Sequence, residues 1–298
     1  MSKGNTNMIA IVLSIIDLAT NVSAQGITPS EIFKEVTTTY ELLQTYKAAG
    51  IIVVDIDTGS TKMSIETSFS ILLKKPNLYL ISWTQKSMPM AGMNQDGAVW
   101  SDGTQPYLYM GIMKAYSKMG SDELALASAT GISGGAAFTI PSLFFKGRPA
   151  PFSRLKDPKM EKPEQVGEED CYVVSGASTV AKKETFWISK SKHLIVKYAR
   201  SLERNEENAV LPEMTDEQLD EAIKGNGQKV TEENRKSMRE MMNRSIAGLN
   251  SAKIKGLSAE TQVKISSPEL NKADFQFVLP KDAVMKDSLF DSALSGGK

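Results

Sequence analysis

The chain has 298 residues, 41% of them hydrophobic, and its 35 basic side chains balance 35 acidic ones. That balance, with no basic stripe interleaved with aromatics, excludes nucleic acid as a partner, and a lone cysteine excludes an internal disulfide framework. A chain this long buries roughly three quarters of its unfolded surface, which leaves scope for an internal cavity.

Lys3 precedes an apolar run from Met8 to Ile16, and Val22-Ser23-Ala24 offers small residues before a cut at Gln25. These features predict a secretory signal peptide over 1–24 and a single domain over 25–298. The apolar run is far shorter than the ~20 residues a span needs, so no transmembrane span is expected in the mature protein. Cys171, inside Cys171-Tyr172-Val173-Val174, reads as a small buried hydrophobe.

Thr28-Pro29-Ser30-Glu31 is a helix start: Thr28 caps, Pro29 suits the first helical position and Glu31 can reach back to close a capping box. Ile32, Val36, Tyr40, Leu43 and Lys47 follow at helical spacing, and Gly50 is read as the stop. Strands are predicted at about 51–57, 62–73, 78–84, 97–101 and 106–110, with turns at Thr58-Gly59-Ser60, Lys75-Pro76-Asn77 and Asp102-Gly103. Short turns between sequential strands make this an antiparallel meander. From Met63 to Leu73 every odd position is apolar or Thr, so one face of the meander is dry and must be covered by protein or by a ligand.

From Gly111 to Phe145 the pattern turns helical and small. Ser121 caps, Asp122 and Glu123 complement the helix dipole, and an Ala- and Gly-rich stretch follows that can pack closely as a plug. Residues 146–167, with many charges and prolines, read as an exposed connector. Strand patterning returns at 170–178, then in a hairpin formed by 184–188 and 194–198 around Ser189-Lys190-Ser191-Lys192-His193. A charged helical insertion is predicted over about 203–255, with a second capping box at Thr215-Asp216-Glu217-Gln218 and a helix over 232–249. Residues 260–266 and Phe275-Gln276-Phe277-Val278-Leu279-Pro280 are expected to complete the strands, and the tail after Phe290 to fray.

Several segments in this order resemble the LolA/LolB-like superfamily of periplasmic lipoprotein carriers, and more closely a family of predicted periplasmic proteins sharing that fold. They are Thr45-Tyr46-Lys47-Ala48-Ala49-Gly50, Leu73-Lys74-Lys75-Pro76-Asn77-Leu78-Tyr79-Leu80 and Trp100-Ser101-Asp102-Gly103-Thr104-Gln105-Pro106-Tyr107-Leu108-Tyr109. Thr130-Gly131-Ile132-Ser133-Gly134-Gly135, Asp170-Cys171-Tyr172-Val173-Val174, Glu184-Thr185-Phe186-Trp187-Ile188 and Asp274-Phe275-Gln276-Phe277-Val278-Leu279-Pro280 continue the series. The resemblance implies an α+β fold, a strongly curved antiparallel sheet forming an incomplete β-barrel, with helices plugging the concave face. It further implies an apolar cavity for acyl chains between sheet and helices. In the carriers a polar contact holds a lid helix, and no residue here matches that latch. The insertion over 203–255 departs from the short carriers.

On this reading Met63, Ile65, Phe69, Ile71, Tyr79, Ile81, Trp83 and Trp100 form the dry face, with Leu124 and Phe138 from the plug, and these are the candidate cavity residues. From pattern alone the default reading of these residues is plain core, and it is the resemblance that brings a ligand wall level with it. The 15 methionines suit variable acyl cargo and also ordinary gap filling. Gly131-Ile132-Ser133-Gly134-Gly135 matches a nucleophile pattern formally, but a helix rather than a strand precedes it and His193 is the only available base, so a serine esterase is a remote alternative. Asp55 and Asp57 share a strand face and read as a solvated edge, and Gly225-Asn226-Gly227 reads as a turn. Lys182, Lys183, Lys190 and Lys192 could meet anionic lipid head groups.

The expected function is a non-catalytic periplasmic binding protein of a Gram-negative envelope, without metal or cofactor. Its partner would be a hydrophobic ligand, such as a lipid or the acyl chain of a lipidated protein. The alternative is an envelope interaction or sensor protein that binds a protein partner through its insertion.

Overall fold

The computed structural model describes residues 26–57, 62–88, 94–179, 181–203, 215–225, 229–240 and 255–289. The expected signal peptide, the turn at 58–60, the centre of Gly225-Asn226-Gly227, the helix beyond 240 and the tail after 289 lie outside them.

Helix α1 (Pro29–Leu42) starts where its sequence demands: the Glu31 amide donates to the Thr28 side chain, the Glu31 carboxylate accepts from the Thr28 amide, and Pro29 opens the first turn. The helix buries Ile32, Val36 and Tyr40 as its apolar spacing predicts. It ends earlier than expected, and strand β1 (Thr45–Asp57) begins six residues before the predicted start at 51. Lys47 therefore belongs to the strand, and Gly50 is an interior strand position rather than a helix stop. Helix spacing and strand alternation overlap in 43–50, and pairing on both sides of β1 decides for the strand.

Strands β2 (Lys62–Lys74), β3 (Leu78–Met88), β4 (Asn94–Asp102) and β5 (Pro106–Met110) continue the meander. A short β6 (Ala115–Lys118), hidden in the stretch expected to be helical, extends it before helices α2 (Asp122–Ile132) and α3 (Thr139–Phe144). The supposed connector carries β7 (Lys156–Met160) and β8 (Glu164–Val166), which pair with β9 (Glu169–Ala177). Of its prolines, Pro151 opens a 3-10 turn and Pro158 sits on β7, an edge strand, where a missing N–H costs no ladder bond. Then come β10 (Lys183–Ser189), β11 (Ile195–Glu203), α4 (Asp216–Gly225), a helical segment over 232–240 and β12 (Lys255–Ser266).

With a last short strand, β13 (Val284–Met285), the sheet order is β13-β6-β5-β4-β3-β2-β1-β12-β11-β10-β9-β7, with β8 beside β9. Among the described residues every pairing is antiparallel except that of β13 with β6. The fold is thus α+β, with a curved sheet that stays open at its two edges, as expected. Two meanders, β1 to β6 and β7 to β12, meet at a single seam where β1 pairs with β12.

One face is dry. Register aligns Tyr46 with Leu73 and Tyr79, Ala48 with Ile71 and Ile81, and Gly50 with Phe69 and Trp83. These residues form one core with the buried sides of α1, α2 and α3, including Ala125, Leu126, Ala129, Ile140 and Phe144. Full burial of each large side chain here contributes about 1.5–3 kcal/mol. Two glycines make the layer possible. A Cβ on Gly50 would lie 2.2 Å from Phe69 Cζ, and one on Gly97 would lie 2.2 Å from Trp83 Cζ2. The rings of Phe69 and Trp83 thus lie flat over the neighbouring strand.

The segment 275–280, expected to be a strand, is not one. It follows a 3-10 turn (Lys272–Phe275) and crosses the outer face of the sheet. Phe277 packs on Trp100 at 5.3 Å and on Tyr109 at 5.5 Å. Its alternating apolar residues meet a sheet face rather than a strand edge, so alternation survives without a ladder.

Candidate ligand-binding site

A cavity of about 1570 Å³ opens at one end of the sheet. Its floor is a continuous register row: Ser64 on β2 pairs with Asp55 on β1, Asp55 with Leu257 on β12, Leu257 with Ser201 on β11, and Ser201 with Lys183 on β10. Ala177 on β9, paired with Lys156 on β7, closes the row. Because paired residues share a face, this row belongs to the side of the sheet away from α1, α2 and α3. Ile56, Met63, Gly176 and Gly256, which alternate with it, line the cavity as well.

The faces of β12 are inverted relative to its hydrophobicity. Ser258, Glu260 and Gln262 point into the core and are buried. The alternate residues Leu257 and Val263 face outward with 48% and 45% exposure, beside Ile51 of β1 at 43%. Register forces this choice, since Ile52 opposite Glu260 and Gly50 opposite Gln262 both face the core. An apolar strip on the outer face therefore runs from the cavity along β12 and β1.

Of the inward polar residues of β12, Glu260 is held by the plug, while the Gln262 side-chain oxygen is buried without a hydrogen-bond partner. Glu260 accepts a 2.7 Å hydrogen bond from the Thr139 hydroxyl of α3 and a 2.5 Å bond from the Gln262 amide. Burial pushes the Glu260 carboxyl up to about 7, against these two bonds and the charge of Arg200. Farther along, Arg154 grips Glu184 through two bonds of 2.9 and 2.8 Å, while the Tyr198 hydroxyl donates to the same carboxylate at 2.6 Å. Burial pushes Glu184 up, but Arg154, Ser178 and Tyr198 outweigh it and hold the carboxyl below its ordinary value. These are structural contacts between elements.

The sequence candidates divide between the two faces. Phe69, Ile71, Tyr79, Ile81 and Trp83 are enclosed by the helices, at 0–5% exposure. Ile65 and Leu124 are half-buried, Leu124 packing against the same core. Phe138 is half-buried beneath the Arg154 guanidinium, 5.2 Å from the ring centroid. Met63 lines the end cavity. Trp100 is a correction: it faces the opposite side of the sheet, stacked on Tyr107 at 5.2 Å under Phe277. It pairs with Leu80, whereas Tyr79, Ile81 and Trp83 carry the inner face, so its parity excludes it.

Ser133 is fully buried at the end of α2, where its hydroxyl donates to the Thr130 carbonyl and accepts from the Ala137 amide, both at 3.4 Å. His193 sits in the β10–β11 turn with φ of 52°. Among the described residues no group of three or more His, Cys, Asp or Glu is placed to hold a metal ion. Cys171 is buried, and burial pushes its thiol up to about 11. Of the four hairpin lysines, Lys182 and Lys183 line the cavity. Lys190 and Lys192 lie at the other end of the hairpin, over Tyr172 and paired with Glu169 respectively.

Sequence reasoning missed Lys62, Lys156, Lys159, Lys255 and Leu257 as cavity residues. A signal was present in the alternation of Leu257, Ala259, Thr261 and Val263 against Ser258, Glu260 and Gln262, but nothing local says which side faces out.

No protein family matches the sequence, and neither does any curated protein. Among solved structures, the chain is similar to an uncharacterised conserved protein from Thermus thermophilus, at 9% identity and a TM-score of 0.37, over 86% of this chain and 98% of that one. It is similar to a LolA superfamily protein from Nitrosomonas europaea at 11% identity and a TM-score of 0.29, over 84% of this chain and 98% of that one. A third is the Mycobacterium tuberculosis lipoprotein LppX, at 11% identity and a TM-score of 0.34, over 80% and 95% of the two chains. The LolA superfamily is also the group that the sequence motifs resemble. At these identities and TM-scores no function passes from those proteins to this chain.

Proposed function

We propose that this chain is a non-catalytic periplasmic binding protein for an amphiphile with an acyl chain, a lipid or a lipid-modified protein. The observation that carries the reading is the end cavity together with the outward apolar side of β12. Its volume, about 1570 Å³, exceeds the ~300–1,000 Å³ typical of sites for drug-sized molecules. The exposed apolar strip of Leu257, Ile51 and Val263 gives the chain of such a ligand a surface to leave water on. No helix among the described residues is long and apolar enough to cross a membrane.

Native mass spectrometry after gentle extraction from the protein's own cells tests this. Lipid is expected to travel with the protein; repeated preparations that are empty and fail to take up added lipid would sink the reading.

A second reading is a sensor that contacts an envelope protein through the insertion. It is favoured by one observation: α4 and the segment over 232–240 have a small core of their own, Leu219, Ile223 and Met238, tied by the Arg235–Asp220 ion pair at 2.6 Å. Pull-down with the whole chain, compared with the chain lacking the insertion, separates this role from lipid binding.

A further inference from the structure

Resting on the reading of a lipid-binding protein, we infer that the end cavity takes an anionic phospholipid, its phosphate at the cavity rim and its acyl chains along the outer side of β12 and β1. Six lysines line the cavity: Lys62, Lys156, Lys159, Lys182, Lys183 and Lys255. Against them stand three aspartates, Asp55, Asp57 and Asp157. The chain as a whole has no net charge, so this surplus is local. It is also assembled by the fold, because the lysines arrive on β2, β7, β10 and β12 and in the connection before β10.

Lys62 has a carboxylate neighbour in Asp57 at 3.7 Å, and Lys183 has one in Glu161 at 3.0 Å. Both pairs are largely exposed, where such contacts hold little energy and yield readily to a stronger anion. Lysine binds phosphate as a point charge, and several lysines at one lipid surface add their attraction. Beyond the rim, Leu257 begins the apolar strip that continues to Ile51 and Val263. Charge and apolar surface thus lie in the order that an anionic amphiphile presents them.

The test uses the purified full chain with dioleoyl phosphatidylglycerol and dioleoyl phosphatidylcholine, whose acyl chains are identical. Phosphatidylglycerol is expected to bind roughly tenfold tighter or better, the preference shrinking with added salt. The variant Lys156→Gln/Lys159→Gln/Lys182→Gln is expected to lose the preference while still binding phosphatidylcholine. Lys190→Gln/Lys192→Gln, at the far end of the hairpin, is expected to keep it. Thermal melts of each variant and a Lys→Arg version of the triple variant separate lost charge from lost fold. Equal binding of the two lipids by the parent chain, or a preference that survives in the triple variant, overturns the head-group assignment and leaves lipid binding standing. Binding of neither lipid overturns both. Displacement of phosphatidylglycerol by inorganic phosphate at comparable concentration assigns the rim to the free ion and overturns the lipid as its source.

Discussion

Glu260 of β12 and Thr139 of α3 are joined by a 2.7 Å hydrogen bond that ties the helical layer to the middle of the sheet. Both residues are buried, so the link has no competing water. It is the one place where an inward carboxylate of β12 meets the helices that cover the dry face.

Stability is expected to depend on the protonation of Glu260. Its unfolded carboxyl titrates near 4.5 and its folded one near 7, so between these values the folded chain keeps a proton that the unfolded chain has lost. Stability from this group is full below about 4.5 and is lost as pH rises through about 7, by about 3 kcal/mol. Denaturant unfolding of the parent and Glu260→Gln across this range checks the claim. The difference between the two proteins should change with pH in that window and be flat outside it.

Arg154→Ala should be among the most damaging single changes. It leaves the Glu184 carboxylate, which has 0% side-chain exposure, without its ionic partner. A loss of about 3–5 kcal/mol is expected, and replacing Glu184 by Gln at the same time should recover part of it. A double-mutant cycle with additive losses would show that the pair is not coupled.

At Gly50 and Gly97, alanine is expected to cost stability through steric overlap alone. At Gly97 the new Cβ meets the Trp83 ring, while at Gly50 it meets both the Phe69 ring and the Thr261 carbonyl oxygen at 2.4 Å. A ring can tilt, but a ladder carbonyl cannot, so Gly50→Ala should cost more than the about 1–3 kcal/mol expected for Gly97→Ala. Melting temperatures in the reverse order would contradict the geometry.

Leu257→Asp separates folding from binding. The side chain is 48% exposed, so global stability should change by no more than about 0.5 kcal/mol. Retention of lipid in native mass spectrometry should fall markedly. Unchanged retention would place the acyl chain elsewhere.

The insertion is expected to be dispensable for the fold. Glu203 pairs directly with Lys255, so the strands flanking it already stand in hairpin register. Replacing 204–254 with Asn-Gly should leave circular dichroism of the sheet and cooperative unfolding intact. A chain that then unfolds without cooperativity would show that the insertion supports the core.

Much of the fold was legible because its signals are local. The capping box at Thr28 and Glu31, the Lys75-Pro76-Asn77 turn and the alternation of Met63 to Leu73 each fix an element from a few residues. The failures share one physical cause, that pairing across the chain decides what local pattern leaves open. β1 begins at Thr45 because β2 and β12 flank it, and β12 turns its polar side inward because Ile52 and Gly50 set the register. The lysine rim was illegible for the same reason, since Lys62 and Lys156 share a cavity only once seven strands are aligned.

The seam between β1 and β12 separates two meanders that are each built from neighbouring segments. A large share of the cost of bringing distant parts of the chain together falls there, over the register from Lys47 opposite Ser266 to Asp57 opposite Lys255. A chain nicked between the two meanders, in the stretch after Phe145, should still yield two fragments that recognise each other. Their reassociation would rebuild the wall to which the acyl chain is assigned, so that fragment complementation could be read through lipid uptake.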